Sequence, residues 1–202
     1  VAVSGLTTGN TNVIVGAEAG TTGTILTTGD DNTIVGYSAH TSAADSNNQI
    51  VLGDRVTGNA DDSFCFGQDA TDSAIANGAT TITAPSDIRL KEDIEDEVVG
   101  LDFINELRPV TFRWKKAKDV PEELSAHSTS EKRVMNGKYN HGFISQEVKE
   151  VIDNNPDIKE GFDMWTEDEV DGRQRIGESA LIPMLVKSIQ ELTARIEELE
   201  GE

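Results

Sequence analysis

The sequence predicts a mixed fold: an all-β, intertwined fibrous segment over residues 1–85, then a compact α+β domain over 86–202 ending in a coiled-coil helix over 181–200. Three observations carry that expectation. The first is a composition break near residue 85. Residues 1–85 hold one basic residue, Arg55, and nine acidic ones, a net charge of −8, and are rich in Thr and Gly. Residues 86–202 hold 16 basic and 28 acidic residues, a net −12, with nearly all the long charged side chains. The second is a short recurring unit in the first part. The third is a seven-residue apolar repeat at the end of the second.

The recurring unit is an Asn or Asp, a short β-branched or aromatic run, then Gly. It reads Asn12-Val-Ile-Val-Gly16, Asn32-Thr-Ile-Val-Gly36, Asn48-Gln-Ile-Val-Leu-Gly53 and, more loosely, Asp62-Ser-Phe-Cys-Phe-Gly67. Physically this is a turn residue, a strand of three or four residues, and a glycine that permits a sharp reversal. The closing glycines stand 20, 17 and 14 residues apart. Short strands with Thr, Gly, Asn and Asp connections predict a coiled or stacked β-structure. So few large apolar residues are not expected to fill a core of their own, and burial against identical chains is the expected remedy. Asp30, Asp31, Asp61 and Asp62 match no cation-loop spacing and read as solvated turns. Cys65, between Phe64 and Phe66, reads as a small core residue. As the one cysteine it excludes an intrachain disulfide and a cysteine-rich zinc site.

In the second part, Val98, Leu101, Ile104 and Leu107 form a helical stripe ending at Pro109. Val110, Phe112 and Trp114 alternate with Thr111 and Arg113, the pattern of a half-buried strand. Residues 117–138 are polar and read as a loop. Gly142-Phe143-Ile144 leads into a short helix with Val148, Val151 and Ile152, stopped at Asn155-Pro156. Asp171-Gly172, between Glu169-Val170 and Arg173–Ile176, signals a hairpin turn. Ile182, Ile189 and Ile196 recur every seven residues, as do Leu185, Leu192 and Leu199, giving a and d positions over about three heptads. Pro183 suits only a first turn, so the helix starts near Leu181. So short a helix also suits packing on its own domain. The unbroken register, with Glu191, Arg195, Glu197 and Glu198 around it, favours a coiled coil. Ile at a with Leu at d leans toward two strands rather than three.

The formal charge of −20 argues against nucleic acid, whose binding needs clustered cations, and against an anionic membrane surface. The apolar run Leu181 to Val186 is six residues and far short of a membrane span. No signal peptide is visible. Because the chain begins at Val1, it reads as a fragment of something longer. His40 and His127 lie in polar segments and suggest no site, and neither metal nor cofactor is expected.

Four motifs follow one another in order along the second part: Ser86-Asp-Ile-Arg-Leu-Lys-Glu-Asp-Ile94, Leu107-Arg-Pro-Val-Thr-Phe-Arg-Trp114, His141-Gly-Phe-Ile-Ser-Gln-Glu-Val148 and Leu181–Leu192. Together they resemble the C-terminal intramolecular chaperone domain of phage tailspikes, tail fibres and neck appendages, the self-cleaving serine peptidase type. A similar domain occurs in a eukaryotic membrane-tethered transcription factor of the myelin regulatory kind. The unit in residues 1–85 resembles repeats of trimeric phage tail fibres and of the β-roll heads of trimeric autotransporter adhesins. The resemblance implies a homotrimer joined to the rest of a phage fibre or tailspike. It places the fibre in the virion and the chaperone part, once released, in the host cytoplasm. A host surface receptor or glycan is a further implied partner, although residues 1–85 hold no Trp and only Tyr37 for stacking on a sugar.

The same resemblance implies a dyad of Ser86 and Lys91, with the chain cut between Pro85 and Ser86. That bond falls on the composition break found independently. His141, Gln146 and Glu147 match the family motif as candidates to orient Lys91 or stabilise the oxyanion; a polar contact between strand and helix is the other reading. Arg89, beside the dyad, is a candidate pKa tuner or salt-bridge partner.

The chemistry follows from the residue types. A serine hydroxyl is a weak nucleophile until a base takes its proton. A lysine can do so only when neutral, which requires its pKa to fall from about 10.4 toward 7–8 by desolvation or nearby cations. Ser86 lies just after the scissile bond, so its oxygen can attack the Pro85 carbonyl through a five-membered ring, giving an N-to-O acyl shift and an ester that water hydrolyses. Attack on a neighbouring chain is the alternative. On a strand Ser86 and Lys91 would lie roughly 16 Å apart on opposite faces, and on a helix about 140° apart around the axis. The dyad therefore needs a turn within 87–90 or a lysine from another chain. The expected function is a chaperone that trimerises and folds a fibre, then releases itself by autoproteolysis. The alternative is an uncleaved trimerisation cap of a fibre or adhesin involved in receptor binding.

Overall fold

The computed structural model describes residues 5–201; residues 1–4 and 202, at the outer ends of the two expected segments, lie outside the described residues. The chain divides into two compact units, Val1–Ile94 and Glu95–Glu202. The division falls nine residues beyond the composition break at Pro85–Ser86.

In the first unit all four copies of the repeat become strands: β1 (Val13–Val15), β2 (Thr33–Val35), β3 (Ile50–Asp54) and β4 (Ser63–Gln68). They pair parallel in that order, and β5 (Thr71–Ala76) turns back antiparallel onto β4. Parallel neighbours joined in sequence require the chain to circle once per strand. The spacings of 20, 17 and 14 residues are thus the lengths of successive turns of a narrowing coil. The turn residues record it: the Asn10 amide donates to Asp30 Oδ1 at 2.6 Å, the Asp30 amide to Asn47 Oδ1 at 2.9 Å, and the Asn47 amide to Asp61 Oδ1 at 2.9 Å. Asp31, Asn48 and Asp62 sit beside them in the left-handed conformation that Asn and Asp tolerate. These carboxylates are rungs of a turn ladder.

The strand register stacks Ile14, Ile34, Val51 and Cys65 in one column. The last three are fully buried, together with Leu26, Ala39 and Val56. The coil therefore has a slender core within one chain, which corrects the expectation that its apolar residues could fill none. A closed narrow turn needs only one or two apolar side chains per level, because polar side chains complete the interior. Buried Asn32 shows how: its side chain donates to Asn12 Oδ1 at 3.0 Å and to the Ser46 carbonyl at 2.7 Å, and accepts from the Gln49 amide at 3.0 Å. Alternate residues of the same strands face outward, and Val13, Val15, Ile50 and Leu52 are exposed.

The closing glycines stack as well. Gly16, Gly36, Gly53 and Gly67 have φ of +134°, +141°, +138° and +143°, and a Cβ on Gly36 would lie 1.8 Å from the Gly53 carbonyl oxygen. Gly36→Ala is expected to cost more than about 4 kcal/mol, because backbone on the next turn cannot yield. Gly78→Ala, where nothing lies within 4 Å of the added atom, meets only conformational strain at φ +79° and is expected to cost about 1–3 kcal/mol. Urea denaturation of the two variants compares them directly.

The second unit contains α1 (Leu101–Glu106), β6 (Val110–Phe112), β7 (Asn140–Gly142), α2 (Ser145–Asn154), β8 (Trp165–Glu167), β9 (Gln174–Ile176) and α3 (Ile182–Glu200). β6 pairs antiparallel with β7, and β8 with β9. Val99, Phe103, Leu107, Val148, Met164, Leu181 and Met184 form the core. This corrects the expected stripe. The helix starts only at Leu101, Val98 lies exposed before it, and the buried line runs Val99, Phe103, Leu107 at intervals of four. Within 117–138, a 3-10 turn at Ala117–Asp119 turns Ala117 and Val120 inward. The hairpin is also corrected: its first strand is Trp165–Glu167, and Val170 is fully out in the connecting loop.

That hairpin is tied by Asp168, which accepts from Arg173 and Arg175 at 2.7 Å each. Hydrogen bonds from Arg175 and then Arg173 pull its carboxyl down to about 2. A carboxylate lowered on folding stabilises the fold above its unfolded pKa, near 3.8, and the contribution fades as pH falls through its folded value. The hairpin is expected to loosen between pH 4 and 2, read by Trp165 fluorescence, and Asp168→Asn should remove that step.

In α3 the buried residues are Met184 and Ser188, and Glu191 caps α1 by accepting from the Leu101 amide at 2.9 Å. Glu191 thus ties α3 to α1 within its own unit. The heptad residues Ile182, Leu185, Ile189, Leu192, Ile196 and Leu199 are all exposed. Pro183 lies in the first turn, as the sequence requires.

Candidate active site

From Ala76 to Val98 every residue is exposed except the half-buried Asp87. Within this stretch the chain makes a tight turn after Ser86. The Asp87 carboxylate accepts from the Arg89 amide at 2.9 Å and caps a 3-10 turn over Ile88–Leu90. The turn folds five residues back so that Lys91 Nζ donates to Ser86 Oγ at 2.7 Å. Neither a strand nor an α-helix would bring these atoms together; the capped turn does.

In that contact the lysine is the donor. For base catalysis the polarity must reverse, with the serine hydroxyl donating to a neutral amine. Hydration stabilises an exposed ammonium, so reversal calls for water to be removed from the turn. Pro85, on the acyl side of the bond before Ser86, brings no obstacle, since the amide nitrogen in question belongs to Ser86.

Arg89 is engaged with Asp87, its guanidinium donating to both carboxylate oxygens at 2.5–3.1 Å. That hydrogen bonding holds the Asp87 carboxyl below its usual range and raises Arg89. Of the two roles weighed for Arg89, the geometry gives it the salt bridge.

His141, Gln146 and Glu147 belong to the second unit. His141 pairs across from Thr111 in the β6–β7 ribbon and lines a cleft of about 500 Å³ with Pro109, Val110, Gly142, Phe143 and Glu178. Gln146 is exposed on α2. Glu147 accepts from Arg108 Nε at 2.9 Å and again from its terminal nitrogen, which lowers its carboxyl. Glu147, on α2, thus pairs with Arg108 of the segment between α1 and β6, joining two of the sequence motifs. Sequence reasoning missed both Asp87 as the cap and Arg108 as the partner of Glu147. The first had a signal, an Asp directly before a short turn; the second had none.

Residues 86–155 match one family model. It is that of the chaperone of endosialidase, Peptidase_S74. The chaperone-of-endosialidase match opens on Ser86 and takes in the Ser86–Lys91 turn, the β6 strand and the His141–Val148 motif, while α3 lies beyond it. No curated protein and no solved structure matches the chain.

Proposed function

We propose that residues 86–202 are an intramolecular chaperone that gathers three chains, folds the β-coil, and releases itself by cutting between Pro85 and Ser86. The chaperone role is supported by the chaperone-of-endosialidase match. The cleavage is supported above all by one observation, the 2.7 Å contact of Lys91 Nζ with Ser86 Oγ across the capped turn.

In the proposed reaction neutral Lys91 takes the Ser86 hydroxyl proton, and Oγ attacks the Pro85 carbonyl carbon. The Pro85–Ser86 C–N bond breaks, its nitrogen leaves as the Ser86 amine after accepting a proton, and an ester joins Pro85 to Ser86 Oγ. Water then opens the ester, leaving a carboxylate on Pro85 and the hydroxyl on Ser86. The oligomer is supported by the exposed heptad seam of α3, a surface complementary to copies of itself. A parallel coil with distant pairings folds slowly. Held in register by the seam it can close, and once the template is gone it is kinetically trapped. The fibre then belongs to a virion tail or appendage.

Intact-mass measurement of purified, assembled protein tests the reading. Two fragments, 1–85 and 86–202, are expected. One uncut chain in a stable oligomer would instead make residues 86–202 a permanent cap.

A further inference from the structure

We propose that Asn77, in the turn that follows β5, is a modification site at which the chain deamidates itself, with water as the one co-reactant. The Ser86–Lys91 dyad plays no part in this step.

Asn followed by Gly occurs twice in the chain, at Asn77-Gly78 and at Asn136-Gly137. A glycine leaves its amide nitrogen open to the side-chain carbonyl carbon of the Asn before it, because no Cβ stands in the way. The structure treats the two pairs differently. Asn77 and Gly78 are both exposed, in a turn where the Ala79 amide donates to the Ala76 carbonyl at 2.9 Å. Gly78 has φ +79°, and nothing lies within 4 Å of the place a Cβ would take. The backbone amide of Asn77 is fixed to the Asp62 carbonyl at 2.7 Å, while among the described residues nothing binds its side chain. Asn136 is held instead. Its Nδ2 donates to Asn140 Oδ1 at 3.1 Å, and its Oδ1 accepts from the Lys138 amide at 3.0 Å and from Asn140 Nδ2 at 3.3 Å. The Gly137 carbonyl accepts in turn from Arg113 at 2.9 Å. Ring closure at Asn136 must first break side-chain bonds, and at Asn77 there are none to break.

In the proposed step the Gly78 nitrogen attacks Asn77 Cγ. The Cγ–Nδ2 bond breaks, and ammonia leaves carrying the proton that the Gly78 nitrogen gives up. A five-membered succinimide remains, which water opens at either of two C–N bonds. Opening at Cγ gives aspartate. Opening at the main-chain carbonyl gives isoaspartate, whose chain runs through the former side chain and is one carbon longer. That carbon falls between β5 and Thr83, the two sides of the Ala74–Thr83 pair, whose amides each donate at 2.8 Å.

The test ages the full chain in heavy-oxygen water, folded and in urea, and follows residues 77 and 136 by peptide mass spectrometry. Fragment ions assign the incorporated oxygen to its residue, which separates it from any oxygen taken up by cleavage after Pro85. In the folded chain Asn77 should convert about tenfold faster than Asn136, the effect of the bonds that hold the latter, with isoaspartate among its products. In urea the gap should close, because both are then unheld Asn-Gly pairs. Asn77→Gln, which would need a six-membered ring, should leave position 77 unconverted over the same period. Asn136 converting as fast as Asn77 in the folded chain, a gap that persists in urea, conversion at position 77 of the Asn77→Gln chain, or Asn77 gaining no heavy oxygen would each overturn the proposal.

Discussion

Ser86→Ala is expected to leave one uncut chain in an unchanged oligomer, a complete loss of processing on the timescale over which the native chain is cut. The hydroxyl has no packing role to lose, since Ser86 is exposed and its side-chain partner is Lys91. Lys91→Ala should behave likewise. So should Lys91→Arg, because a guanidinium cannot give up its proton to become a base. In the native chain, cleavage should slow on acidification, about tenfold per pH unit below the midpoint. Intact mass reads every case, and a Ser86→Ala chain that still splits before residue 86 removes the assigned nucleophile.

Ile189→Asp combined with Leu192→Asp is expected to yield monomeric or aggregated chains with neither cleavage nor a folded fibre. Buried charge in an a/d seam costs several kcal/mol, so the strands separate instead. Because both residues are exposed within the single chain, the substitution leaves the core around Phe103 and Met184 intact. Far-ultraviolet circular dichroism should therefore show α3 still folded while sedimentation shows the oligomer lost. A cleaved, intact oligomer would take the assembly role away from this helix.

The sequence made the strands of the coil legible because each repeat carries its own turn residue and glycine, and four copies stack in one register. The helix α2 and the start of α3 were legible from Pro156 and Pro183, which restrict backbone in a way that packing cannot override. The core of the coil was not. Counting large apolar residues presumes layers, whereas a closed turn fills its centre with Val51, Cys65 and the polar Asn32. The buried side of α1 departs from the expected stripe because the helix starts only at Leu101 and the buried line runs Val99, Phe103 and Leu107, one position on from Val98. At the site, the spacing of Ser86 and Lys91 dictated a turn without saying what would hold it, and Asp87 supplies the cap. Arg108 and Glu147 lie 39 residues apart, and nothing local in the chain announces that they meet.

The most direct test of assembly-coupled cleavage is to separate freshly prepared chains by size and follow intact mass in each fraction over time. The fragment beginning at Ser86 should form in the oligomer fraction and stay absent from the monomer, at a rate that rises with protein concentration until assembly is complete. A monomer fraction that releases the same fragment at the same rate would contradict it.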